Sequence, residues 1–89
     1  MISRKFLIRN EDGLHLRPAG KLSGLALNYH CRITFQYADG EGNGDAKSVL
    51  SILAAGVRCG DEIELTFDGP DEEAAMKAIG ELIEENFEE

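Results

Sequence analysis

A histidine, a permanent cation and a proline fall within four residues in Gly13-Leu14-His15-Leu16-Arg17-Pro18-Ala19. The residues after His15 read as a helix start. A helix N-terminus carries unpaired backbone N–H groups and about half a positive charge, so it favours an anion. Neutral imidazole is a competent nucleophile. His15 at that mouth can take a phosphoryl group, and Arg17 offers a planar guanidinium fork for its oxygens. Such transfer needs positioning and charge more than a general base, and no second catalytic group accompanies His15. An autonomous hydrolase is therefore disfavoured, and His15 is read as a phosphoryl acceptor and donor. His30 has no motif around it and reads as solvated.

The Gly-X-His-X-Arg-Pro-Ala context closely resembles the active-site signature of the histidine-containing phosphocarrier (HPr) family of bacterial sugar phosphotransferase systems. The resemblance covers nearly the whole chain and implies that Nδ1 of His15 is the attacking atom. It implies the phosphoenolpyruvate-dependent Enzyme I as donor and Enzyme IIA domains as acceptors; a monomer with no cofactor is expected. The segment Lys47-Ser48-Val49-Leu50-Ser51-Ile52-Leu53 is similar to the regulatory serine segment of Gram-positive HPr, where a dedicated kinase (HPr kinase/phosphorylase) modifies the serine. On local grounds Ser48 is an N-cap. A phosphate there would change the charge of a partner surface.

Leu16, Lys21, Lys47, Val49, Leu50 and Leu53 are the expected docking residues, apolar or basic side chains beside the two phosphorylation candidates. Leu14 reads equally as core or patch, and Ile52 as core. Leu16 departs from the smaller residue common in HPr. Gly24 and Leu27 stand where HPr often offers basic residues to acidic partners. Two other readings follow: a regulatory carrier of the nitrogen-related branch, and a binding module that uses phosphorylated Ser48 to engage a transcriptional regulator. A small-ligand sensor has no pocket motif behind it.

With 89 residues, 43% hydrophobic and 29% charged, the chain is expected to form one globular domain, residues 1–89. No run of 18 apolar residues exists, and the start lacks the long apolar region of a secretory signal. A cytoplasmic protein without membrane insertion is expected. Cys31 and Cys59 form no spaced metal motif and read as reduced thiols filling space, so no metal is expected. The net charge of −8 is uneven: residues 71–89 hold eight acids and one base, leaving a net of −1 for the rest. Overall acidity argues against nucleic-acid binding. Between Gly13 and Ala38 there are three bases and no acids, a local field suited to an incoming phosphoryl group.

The positioning elements follow from periodicity. Lys5 to Arg9 is rich in strand formers, and Asn10 to Gly13 is turn-like. A helix is predicted from about Leu16 to Asn28, with Pro18 in its first turn. Cys31 to Tyr37 alternates with period two, Cys31, Ile33, Phe35 and Tyr37 on one side. Ala38 to Asp45 contains Asp39-Gly40, Gly42 and Asn43-Gly44; it reads as a loose hairpin with a poor, mobile return strand. Ser48 to Ala55 is a short helix stopped by Gly56. Glu62 to Phe67 is the last strand. From Asp71 a helix carries Ala75, Ile79, Leu82, Ile83 and Phe87 as its apolar stripe. Its four C-terminal glutamates oppose the helix dipole, so a frayed end is expected. The order β-α-β-β-α-β-α fits an α+β fold with a four-stranded antiparallel sheet and three helices on one face. The HPr resemblance implies an open-faced β-sandwich of that topology.

Overall fold

The protein is described by a computed structural model covering residues 1–88. Four strands form one antiparallel sheet: β1 (Ile2–Leu7), β2 (Arg32–Tyr37), β3 (Gly42–Asp45) and β4 (Glu62–Asp68), in spatial order β1-β4-β2-β3. Three helices, α1 (Leu16–Ala26), α2 (Val49–Ala55) and α3 (Glu72–Glu84), cover one face. The expected open-faced α+β sandwich is what forms.

Strand alternation decides which side chains meet the helices. Ile33, Phe35, Ile63, Leu65, Phe67 and Phe6 are buried, and Ala19, Leu22, Ile52, Ala75, Ile79 and Ile83 meet them from the helices. A fully buried side chain of this size contributes about 1.5–3 kcal/mol. The other face of the sheet carries Ser3, Lys5, Thr34, Gln36, Glu64 and Thr66.

The return strand departs from expectation. Residues 42–45 pair in register with β2, Phe35 opposite Gly44 and Tyr37 opposite Gly42. A Cβ on Gly44 would sit 2.2 Å from the Phe35 ring, and one on Gly42 would sit 2.3 Å from the Tyr37 ring. The two glycines are the space these aromatics lie across. A glycine-poor view of strands misses this cross-strand device.

Several ends also move. β1 begins at Ile2 and stops at Leu7, although Ile8 remains buried and its N–H bonds Asp61 O at 2.9 Å. α1 stops at Ala26, because Asn28 and Tyr29 turn back to the carbonyls of Leu25 and Ala26. α3 stops at Glu84. Asn86 and Phe87 take positive φ (52° and 58°), a left-handed turn that does not continue the helix, and Phe87 is buried in the core. Lys21 Nζ donates to Phe87 O at 2.7 Å. The frayed-end expectation for Glu89 lies outside the described residues. Cys31 is buried as expected, but Cys59 is exposed, its Sγ donating to Arg9 O at 3.5 Å.

Candidate functional site

The loop before α1 is built around a buried asparagine. Asn10 Nδ2 donates to Gly13 O at 2.6 Å, and Gly13 N–H returns to Asn10 O at 3.0 Å. Gly13 has φ +65°, and a Cβ there would lie 2.5 Å from Val57 O and 2.6 Å from Arg58 Cα. Only glycine lets the backbone come this close. The next residue, Leu14, donates its N–H to Val57 O at 2.9 Å and is buried, which settles it as core. The chain therefore reaches His15 from a fixed direction.

His15 is the N-cap residue of α1, with extended backbone (φ −79°, ψ −170°). Its carbonyl accepts the first helical bond, from Ala19 N at 2.9 Å. The amides of Leu16 and Arg17 lie too early in the helix to bond within it, and Pro18 has no N–H. The helix mouth thus offers two free donors immediately after the imidazole. Pro18 itself is buried and anchors the turn. The His15 side chain is 41% exposed. Its two nitrogens are not equivalent. Nε2 is withdrawn from solvent, has no hydrogen-bond partner and lies 3.5 Å from Asp12 Oδ2. Nδ1 is not so enclosed. Arg17 is exposed and, among the described residues, its guanidinium holds no hydrogen bond or ion pair.

The second segment lies beside the same helix. α1 packs against α2, and buried Ser23 donates its hydroxyl to Lys47 O at 2.9 Å. Ser23 is two helical turns from His15, about 12 Å along the axis. Ser48 is half-buried and caps α2, its Oγ accepting from Ser51 N at 3.2 Å. Leu16 and Leu50 are 68% and 79% exposed, whereas Val49 and Leu53 are half-buried against the core and Ile52 is fully buried. Lys21 and Lys47 are not free cations. Each ammonium is tied to a backbone carbonyl, Lys21 to Phe87 and Lys47 to Tyr29, both at 2.7 Å. His30 is exposed, and its backbone N–H donates to Asp71.

Residues 2–85 match the family model for the PTS HPr component phosphorylation site. The chain belongs to the HPr phosphocarrier family. It is 35% identical over 89 residues to the phosphocarrier protein HPr of Treponema pallidum, covering 100% of this chain and 99% of the relative. The crystal structure of HPr-C-His from Thermoanaerobacter tengcongensis superposes with a TM-score of 0.94 at 35% identity, covering 100% of this chain and 98% of that one. The multiphosphoryl transfer protein of Salmonella typhimurium is 37% identical over 84 residues, 93% of this chain but 22% of that protein's length. The chain thus spans about a fifth of the multiphosphoryl relatives it matches. Membership of the HPr family supports a role in phosphoryl transfer within the phosphotransferase system. No helix among the described residues is long and apolar enough to cross a membrane.

Sequence reasoning missed three residues that shape the site. Asn10 and Asp12 sat in a stretch read only as a polar turn, although an acid three residues before a histidine is a legible signal. Ser23 lies within the predicted helix with no motif around it, and its burial depends on where α2 lands.

Proposed function

We propose that His15 accepts a phosphoryl group on Nδ1 and passes it on, and that residues 1–89 work as one carrier domain. The observation that carries this reading is the half-open imidazole at the N-cap of α1, followed by two unpaired amides and a free guanidinium. A phosphoryl group on Nδ1 adds about two negative charges at a place where backbone dipoles and Arg17 favour them. The donors are few and exposed, which suits a group that must leave again. Enzyme I charged by phosphoenolpyruvate is the proposed donor and Enzyme IIA-type domains the acceptors, in the cytoplasm. Leu16 and Leu50 form the apolar part of the docking surface, with Val49 and Leu53 beneath it. Lys21 and Lys47 contribute to it from their anchored positions.

Incubation with phosphoenolpyruvate and Enzyme I should place acid-labile phosphate on the wild type and none on His15→Ala. Absence of acid-labile label from any cognate Enzyme I would falsify the carrier reading.

Ser48 is proposed as a regulatory site. Its hydroxyl oxygen accepts from the Ser51 amide, and Leu50, two residues on, is an exposed large apolar side chain of α2. A phosphate there would put charge onto the docking surface. ATP-dependent, acid-stable label lost in Ser48→Ala supports this. Such label with no flux through His15 would favour the binding-module reading, with a transcriptional regulator as partner. Transfer to nitrogen-branch acceptors alone would favour that branch over sugar uptake.

A further inference from the structure

We propose that Asp12 is a positioning residue for the phosphoryl carrier: it holds a proton on Nε2 of His15, so that Nδ1 is the nitrogen that attacks and the ring stays in the form that lets the phosphoryl group go. This rests on the reading of His15 as the phosphoryl acceptor.

The argument starts from an orphaned atom. Nε2 is out of contact with water and has no hydrogen-bond partner. The polar atom facing it is Asp12 Oδ2 at 3.5 Å. An ionised carboxylate only accepts. A proton on Nε2 gives that contact an attractive sign, whereas a bare nitrogen would set two lone pairs against each other. The neutral ring is therefore protonated at Nε2 and carries its lone pair on Nδ1, the nitrogen that is not enclosed. Carboxylates fix imidazole tautomers in this way elsewhere.

The same contact matters after transfer. The Nδ1 lone pair forms the new N–P bond as the donor's bond to phosphorus breaks and the donor keeps that electron pair. No proton moves on His15, so its ring becomes a phosphorylated imidazolium with positive charge facing Asp12. In the onward step the acceptor attacks phosphorus, the N–P bond breaks, and Nδ1 leaves with its electron pair as neutral imidazole still protonated at Nε2. Loss of the Nε2 proton in the phosphorylated state would leave an anionic imidazolate as the leaving group, which is much poorer. Asp12 favours the protonated ring, and thus release, without acting as a general base.

The other charges around the ring do not replace it. Glu11 is exposed and adjacent in the loop, and Arg17 lies on α1. Arg58 and Asp61 belong to the segment packed under Gly13, where the Asp61 carboxylate accepts from Arg58 N at 2.9 Å. Among the described residues, Asp12 is the one carboxylate in ion-pair contact with His15. Asp12 itself is 70% exposed, so its effect is a few-fold and salt-sensitive.

Two measurements on the whole chain test this, with Asp12→Asn and Asp12→Ala. In the unphosphorylated protein, ¹⁵N spectra of the His15 ring read the tautomer directly. The ratio of Nε2–H to Nδ1–H forms should fall about threefold in Asp12→Ala and less in Asp12→Asn, whose amide oxygen still accepts. In the phosphorylated protein, the rate of transfer to an acceptor is followed against pH. Both variants should match wild type at the acid end of the profile, where every ring is protonated, and run about threefold slower at the alkaline end, with the gap closing in high salt. A merely structural loss would lower the rate equally at every pH. Unchanged tautomer ratios together with superimposable pH profiles overturn the proposal. If the wild type takes up no acid-labile phosphate, the carrier reading itself fails, while the ring spectra still report whether Asp12 sets the tautomer.

Discussion

The hydroxyl of Ser23, buried inside α1, donates a 2.9 Å hydrogen bond to the carbonyl of Lys47, one residue before the N-cap of α2. It is a direct polar tie between the helix that begins at His15 and the segment that holds Ser48. Lys47 adds a second, its ammonium reaching Tyr29 O just past the end of α1. The two candidate phosphorylation segments are thus held at a set spacing by bonds to one residue.

Ser23→Ala removes the hydroxyl and leaves the Lys47 carbonyl short of a partner. That costs about 1–2 kcal/mol, offset by about 0.5 kcal/mol of better helix propensity. The expected net loss is about 1 kcal/mol, or a melting temperature about 4–8 °C lower for a domain of this size. Calorimetry checks it; an unchanged melting temperature would mean the bond is replaced by water at no cost.

Two glycine substitutions should act in opposite directions. Gly13→Ala forces a side chain into φ +65° and against Val57 O and Arg58 Cα. The backbone strain and the overlap together cost about 3 kcal/mol, and relief requires the His15 loop to lift off the 57–58 segment. Urea denaturation should show the loss, and the rate of phosphoryl acceptance should fall with it. Gly24 sits in the middle of α1 with nothing within 4 Å of an added Cβ. Gly24→Ala should stabilise the protein by up to about 1 kcal/mol and leave acceptance unchanged.

The sequence exposed most of the fold because local pattern and burial agree in most segments. β2 and β4 alternate cleanly, and α2 is bracketed by Ser48 and Gly56, both of which cap it as expected. It failed where a residue's role depends on something distant. Gly42 and Gly44 look like strand breakers until Tyr37 and Phe35 are seen lying across them. Phe87 fits a helical stripe, yet it enters the core from a turn whose carbonyl Lys21 holds. Lys21 and Lys47 looked like free docking cations, and only the folded chain reveals the carbonyls they bind. At the site, His15 and Arg17 were legible from a short motif. The inequivalence of the two imidazole nitrogens was not, because it arises from the loop path that brings Asp12 alongside.

Leu50 offers a clean separation of docking from folding. It is 79% exposed, so little of it packs on its own fold. Leu50→Ala should leave the melting temperature within about 2–4 °C, since exposed substitutions change stability by no more than about 0.5 kcal/mol. Loss of an apolar contact at a partner interface costs about 1 kcal/mol, which raises KM for the phosphoryl donor about fivefold with kcat unchanged. Ile52→Ala is the contrast: it is fully buried, and its truncation should cost about 2–5 kcal/mol of stability. Steady-state transfer kinetics beside thermal melts distinguish the two. An equal KM for Leu50→Ala and wild type would remove Leu50 from the docking surface.

Acid stability should depend on Asp71. Its carboxylate accepts from His30 N and Cys31 N, both at 2.8 Å, and so ties the start of α3 to the residues leading into β2. These bonds favour the ionised form, and the His30 amide, the largest influence, holds the carboxyl below its ordinary value of 3.8. Glu72 is held below 4.5 in the same way, first by the Gly69 amide and then by the chain's own terminal ammonium. A depressed native pKa means the unfolded chain binds protons first as pH falls. The stabilisation is complete above the unfolded values, from about pH 5 upward, and is lost as pH drops through and below 4. Asp71→Asn should be less stable than wild type at pH 7, with the gap narrowing steadily toward pH 3, because the amide retains an acceptor but has no charge to lose. Urea midpoints measured at intervals from pH 7 to pH 3 follow this directly. Parallel curves for the two proteins would show that the Asp71 carboxylate contributes no pH-dependent stability.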